Sequence, residues 1–354
     1  MTTIDATATD VNATVDTAAT RDRTPLTGGW RIVAAKELGD HLRSIRFSVL
    51  LALVGLAGLA AVYTTSGNIN DLVGSGPKST SLFLYLFTGV PSSVSNATRT
   101  DIPSFVSFIG ILGPLLGLAF GFDAVSGERA QRTLPRLVSQ PIHRDDVITG
   151  KFAAGMAAIA VVISTLTIAV SGVGMLRLGL VPSLADGARV LTFVVISLLY
   201  IGVWLGVSIV ASIRFRETST AALTTMAVWM VLTLFLGLIT GAVADRFHAI
   251  NADPTKEPDV YSAQVVANQR FDSNLQKLSP AKLYDDATAM VLNPYARSTS
   301  TIIDPAAVDQ AIPSPLPLSE SLVVSLTQVA VLTALTLGLF IAAYLLFLRQ
   351  EVRA

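Results

Sequence analysis

Six stretches of this chain run for about 18 residues or more without a charged side chain, long enough to cross a bilayer as helices. They are Phe47–Thr65, Ser104–Phe122, Phe152–Leu176, Val190–Ile213, Thr218–Ala244 and Ser321–Leu348. Roughly 20 residues rising 1.5 Å each span the hydrocarbon core. A charge at the centre of such a helix would cost on the order of 2.5–3.5 kcal/mol to insert, so uncharged runs enter lipid easily. The pattern predicts an all-α integral membrane protein with six transmembrane helices. Of the 354 residues, 51% are hydrophobic and 14% charged, against roughly 25% charged in soluble domains. Lys plus Arg equals Asp plus Glu at 25, which leaves no basic excess for nucleic acid. Cysteine is absent, which removes disulfides, thiolate metal sites and cysteine nucleophiles together.

Between the runs the chain divides further. Residues 1–29 are rich in Thr, Ala and Asp and predict a disordered cytoplasmic tail without a cleavable signal. Residues 30–46 precede the first span, and 47–244 hold spans one to five. Leu82–Phe87 is apolar but too short to cross. It fits an interfacial or re-entrant piece, or equally a short packed loop helix. Residues 245–320 are polar, with scattered prolines, and predict an extracytoplasmic loop or small folded cap with one or two helices in Ser262–Leu292. Residues 321–354 supply the sixth span and a short cytoplasmic tail.

Basic residues orient membrane chains through their short loops. Arg21, Arg23, Arg31, Lys36, Arg43, Arg46, Arg129, Arg132, Arg136, Arg144, Lys151, Arg214, Arg216, Arg349 and Arg353 all fall on one side of the six-span arrangement. That is 15 of the 25, on the shorter share of non-membrane chain. Both termini are therefore expected in the cytoplasm of a cell-membrane protein.

The familiar catalytic arrangements are missing from the sequence. Gly150-Lys151 lacks the earlier glycine and the following Ser or Thr of a phosphate-binding loop. His41, His143 and His248 are far apart and none lies in a span, which leaves no zinc-protease spacing and no base for an intramembrane serine. Met226 and Met230 are the methionines spaced four apart on one span, too thin a site for copper. No catalytic, cofactor or metal site is expected on this chain.

Small residues and one loop carry the positive signals. Gly113, Gly117 and Gly121 fall four apart in the second span, Gly202 and Gly206 in the fourth, Gly237 and Gly241 in the fifth. Such spacing lets helices approach closely, within one chain or across a dimer seam. Trp30, Ala34, Leu38 and Leu42 form one stripe of an amphipathic helix suited to a membrane surface. In the loop 123–151, Thr133 caps a short helix whose first turn takes Pro135. Leu134, Leu137 and Val138 make its apolar face, Arg136 and Arg144 flank it, and Pro141 ends it. A second helix starts near Arg144 and runs into the third span. This suits a docking surface for a cytoplasmic partner, or a solvated loop. Glu128, close to the membrane surface, is expected to pair with Arg43 or Arg46.

Glu128, Thr133-Leu134, Leu137-Val138-Ser139, Pro141-Ile142, Arg144 and Gly150-Lys151 resemble the first cytoplasmic loop of ABC-2 type permeases. Phe120 to Glu128 is similar to the matching stretch in the permease of the nitrous-oxide-reductase copper-maturation system. The helix around Lys36-Glu37 resembles that family's elbow helix, and Asn293-Pro294 before the last span also fits. Arg132 stands where the family has Gly, and Pro135 lies inside the coupling helix. The resemblance extends over most of the chain from Trp30 onward. It implies the permease subunit of an ABC transporter, an exporter whose ATP and Mg are held by a separate ABC ATPase subunit. Two permease chains, as homodimer or heterodimer, would sit in the lipid bilayer. Glu128, Thr133, Leu134, Arg136, Leu137, Val138, Pro141, Arg144 and Lys151 would then couple to the ATPase. A stand-alone secondary transporter and a mechanical scaffold for an extracytoplasmic partner are the alternatives.

Overall fold

The computed structural model describes residues 28–73, 82–89, 103–131, 143–179, 181–253, 255–296 and 315–349. Among them there are helices and no strand. α1 (Gly29–Arg43) leads almost directly into α2 (Ile45–Val73). α3 (Leu82–Thr88), α4 (Phe105–Gly121) and α5 (Ser126–Ala130) follow, then α6 (Arg144–Leu178) and α7 (Leu184–Arg214). α8 (Thr218–Met230) continues through a π turn, Val231–Phe235, into α9 (Leu236–Phe247). α10 (Pro258–Gln276), α11 (Pro280–Leu292) and α12 (Leu318–Leu348) complete the chain.

Six helical stretches are long and apolar enough to cross a membrane: Ile45–Ile69, Phe105–Ala130, Arg144–Leu178, Leu184–Arg214, Thr218–Phe247 and Leu318–Leu348. They contain the six predicted runs except for Ser104, which caps α4, and extend past most of them into charged turns, because helix propagation does not stop where lipid does. Local chemistry sets the ends. Ser183 Oγ accepts from the Asp186 amide at 3.1 Å while Asp186 Oδ2 accepts from the Ser183 amide at 3.0 Å, a reciprocal cap that starts α7. Gly179, at φ 61°, closes α6 in the left-handed conformation that glycine adopts without a Cβ clash.

α7 is the axis of the bundle and packs against α4, α6, α11 and α12. About two-thirds of its membrane window (67%) is buried, against 6% for the span made by α8 and α9. The reason lies partly in glycine. A Cβ on Gly117 would stand 2.7 Å from both Ile201 O and Leu205 N, so α4 lies backbone to backbone on α7. Gly113 and Gly121 meet Ile201 and Ser208 on the same seam, and Gly202 and Gly206 seat α12 through Thr336 and Leu339. Gly237 and Gly241 have open space beside them. The small-residue spacing thus serves packing within the chain in the second and fourth spans, and nothing described in this chain covers it in the fifth.

α3, the short apolar piece, is a packed helix: Leu82, Phe83, Leu84, Leu86 and Phe87 are all buried. Phe87, Phe105 and Phe193 form a cluster with ring centres 5.8–6.0 Å apart. The stretch 258–292 forms two helices. α10 lies on α9, while α11 inserts between α4, α7 and α12. Tyr284 of α11 stacks on Tyr200 at 4.5 Å, and the Tyr200 hydroxyl donates to Gly110 O at 2.6 Å. Buried Arg189 holds this end of the bundle together. Its guanidinium donates to Val291 O, Leu316 O and, at 3.2 Å, Ser321 Oγ.

Candidate functional site

The end of the bundle that carries α1 gathers the charged residues adjoining the predicted coupling loop. α1 packs chiefly on α6, and its buried residues are Gly29 and Val33. Gly150 makes this possible, because a Cβ there would meet Val33 Cβ at 2.7 Å and Trp30 O at 2.8 Å. Trp30 and Leu42, on the predicted apolar stripe, remain exposed. One helix therefore presents two faces: a protein-facing one through Val33 and Glu37, and an outward one with Trp30 and Leu42.

Lys151, one residue past that contact, is 5% exposed. Its ammonium lies 3.1 Å from Glu37 Oε1 of α1 and 2.7 Å from Glu128 Oε1 of α5. Burying a lone ammonium is costly, and two carboxylates offset that cost. Burial pushes the Glu37 carboxyl upward. The charge and hydrogen bond of Lys151, with Lys36 behind them, outweigh it and hold the carboxyl below the usual value. Beside the cluster, His41 rests edge-on against Phe120 at 5.1 Å. Burial lowers its pKa against the opposing pull of Glu37 and Asp123.

The expected partner of Glu128 was Arg43 or Arg46; the structure gives Lys151 instead. Arg46 pairs with Asp123, in the turn that follows α4. The two pairs together clasp α1 and the start of α2 to the α4–α5 turn and to α6. They line a cavity of about 510 Å³ that also takes in Asp40 and Gln131. The far wall of the turn is fixed by α7. Ser212 Oγ accepts from the amides of Val125 and Ser126, each at 3.0 Å, which satisfies donors left free at the start of α5. Arg129 donates to Ile213 O at 3.0 Å.

Of the sequence-predicted coupling residues, Glu128 and Lys151 are brought together, and Arg144 is half-buried at the start of α6. Thr133, Leu134, Arg136, Leu137, Val138 and Pro141 lie outside the described residues, and the coupling helix with them. The sequence reading missed Glu37 and Asp123. The signal for Glu37 was its position four residues after Val33, on a face that the Trp30 stripe drew attention away from. Among the described residues no group of three or more His, Cys, Asp or Glu could hold a metal.

Residues 31–352 match the family described as ABC-2 family transporter protein. The chain is 30% identical over 221 residues to the probable ABC transporter permease protein NosY of Stutzerimonas stutzeri, covering 59% of this chain and 68% of that one. It is also 30% identical over 220 residues to the protein of the same description in Pseudomonas aeruginosa, covering 60% and 69%.

Proposed function

Since this chain belongs to the ABC-2 transporter family and is an ABC transporter permease subunit, we propose that it is an exporter driven by a separate ATPase docking on residues 123–151. The observation that carries this reading is the Glu37–Lys151–Glu128 cluster. Residues 132–142 join α5, which carries Glu128, to α6, whose Lys151 pairs with both Glu128 and Glu37, so the two flanking helices are tied to each other and, through Lys151, to α1. A push on that segment would reach α1, α4 and α6 at once. Movement between two discrete arrangements of packed helices could then follow.

Leu137→Asp tests the docking. A charge placed in the predicted apolar contact costs several kcal/mol to desolvate. The expected outcome is loss of the ATPase from a pull-down with its native neighbours, or loss of its stimulation. Normal binding with normal stimulation would remove the coupling assignment.

Both termini are proposed to be cytoplasmic, with residues 245–320 outside, on the basic-residue distribution. The chain lacks cysteine, so Ser139→Cys and Ser273→Cys give clean reporters. An impermeant thiol reagent on intact cells should label position 273 and spare 139. The opposite pattern reverses the orientation.

A second permease chain is proposed to cover the span formed by α8 and α9. Support comes from its 6% burial and from the open space beside Gly237 and Gly241. Gly237→Cys should form a disulfide-linked dimer in membranes under mild oxidation. Cross-linking at the lipid-facing control Leu56→Cys instead, with none at 237, would place the seam elsewhere.

A further inference from the structure

At the other end of the bundle α4, α11 and the π turn line an open-sided cavity of about 440 Å³, within the roughly 300–1,000 Å³ usual for small-ligand sites. We propose that this cavity binds an ammonium group carried on an apolar body, with Asp285 as its counter-charge.

Among the described residues, Asp285 is the one charged residue on the cavity wall, and it is exposed. The neighbouring Lys282 pairs with Asp286 instead, its Nζ 2.8 Å from Oδ1 in an i,i+4 pair on α11. No described residue makes a hydrogen bond or ion pair to the Asp285 carboxylate. Gly110 of α4 stands opposite, where a Cβ would come 3.5 Å from Asp285 Oδ1. A larger residue there would narrow the approach to the carboxylate.

The π turn contributes the second unmet group. Ser279 Oγ donates to Leu232 O at 2.7 Å and satisfies a carbonyl of the turn. Thr233 Oγ1, next in sequence and lining the cavity, is buried without a partner. Ser107 adds a further hydroxyl, while Val106, Ile111 and Leu234 make the wall apolar. A carboxylate with hydroxyl acceptors beside it matches an ammonium, which brings three donors and no acceptor. An anionic ligand would be repelled, and a neutral one would leave the charge without a counter-ion. A divalent cation wants six or more oxygens, several of them charged, and one carboxylate does not supply them.

α11 does not cross the bundle, and the groups around Asp285 set its ionisation. Crowding by protein raises its carboxyl to about 6, Lys282 lowers it and Asp286 raises it. Tyr284 of α11 and Tyr200 of α7 are its other titratable neighbours, and the residues described in α4 and the π turn carry none. The carboxylate is thus charged above about pH 6 and loses its charge below it.

The amine could come from a soluble amphiphile or from an aminophospholipid headgroup. The test uses the full chain in phosphatidylcholine nanodiscs, with phenethylamine, 2-phenylethanol and phenethyltrimethylammonium as probes in calorimetric titration. Phenethylamine should bind at least tenfold more tightly than the alcohol at about pH 7.5. That preference should fall about tenfold near pH 5, where roughly one carboxyl in ten stays ionised. Asp285→Asn should abolish it. Thr233→Val keeps the charge and should weaken the primary amine but not the quaternary one. Adding phosphatidylethanolamine separates the sources: competition assigns the site to a lipid amine and its absence to a soluble one. Equal binding of amine and alcohol, or an Asp285→Asn protein that folds and keeps the preference, overturns the proposal.

Discussion

Replacing Lys151 with methionine is expected to cost about 3 kcal/mol and to loosen α1 from the bundle. Removing one partner of a buried ion pair typically costs about 3–5 kcal/mol, because the other charge is left buried and unpaired. Here Glu37 keeps Lys36 at 3.4 Å, and the two carboxylates that lose Lys151, Glu37 and Glu128, are 15% and 18% exposed. Their partial access to water sets the cost at the lower end of the range. The melting temperature of the purified chain measures the effect, and limited proteolysis near Ser44 reports release of α1. Adding Glu37→Gln and Glu128→Gln to Lys151→Met should recover most of the loss, since the buried ammonium and the two carboxylates that face it are then removed together. If Lys151→Met melts like the parent protein, the cluster does not hold α1 in place. Glu128→Gln alone should leave assembly intact and lower ATPase activity linked to transport.

Gly117→Val should be more damaging still. The clash at Gly117 is with backbone, Ile201 O and Leu205 N at 2.7 Å, and neither atom can turn aside as a side chain can. Overpacking costs about 1–3 kcal/mol where the surroundings adjust; here α4 must move off α7 along its whole length. The second methyl-bearing branch of valine should leave little folded protein in size-exclusion chromatography, and Gly117→Ala should already lower the melting temperature. Gly172→Ala, with open space around it, should change neither. Equal behaviour of the Gly117 and Gly172 variants would mean that the α4–α7 seam is not close-packed.

Much of the fold was legible because lipid forces it into the sequence. A helix in hydrocarbon must be long and uncharged, and all six spans announce themselves that way. Lipid says nothing about which helices touch. Gly113, Gly117 and Gly121 stood out as a packing face, but their partner α7 could not be told from a second chain. The charged ends suffered most. Glu128, Arg43, Arg46 and Lys151 offer several pairings of equal chemical merit, and only the docking of Gly150 on Val33 selects Lys151 for Glu128. The depth of α11 was hidden for a different reason. A helix was expected within Ser262–Leu292, but one carrying Lys282, Asp285 and Asp286 reads as part of an outer cap, although Tyr284 and Met290 are buried in the bundle. The π turn has no sequence signature at all.

That π turn makes the fifth span sensitive to chain length rather than to residue type. Each residue advances an α-helix by about 100°, and a π turn absorbs one residue beyond the α-helical count. Ala221, Thr225 and Trp229, buried before the turn, belong to the half that packs on α7, α4 and α5, whereas Thr240 and Ala244, buried after it, belong to the half that meets α10. Deleting one residue between Val231 and Phe235 would restore uniform α-helix and leave everything beyond it facing as before, because that residue is the one the turn absorbs. Leu232 O would then be drawn into the helix ladder and no longer be offered to Ser279, whereas a deletion within α8 would swing Gly237 and Gly241 through about a quarter-turn. The span thus carries a frame, much as a coding sequence does, with the π turn as the one place where a residue can be lost without shifting it.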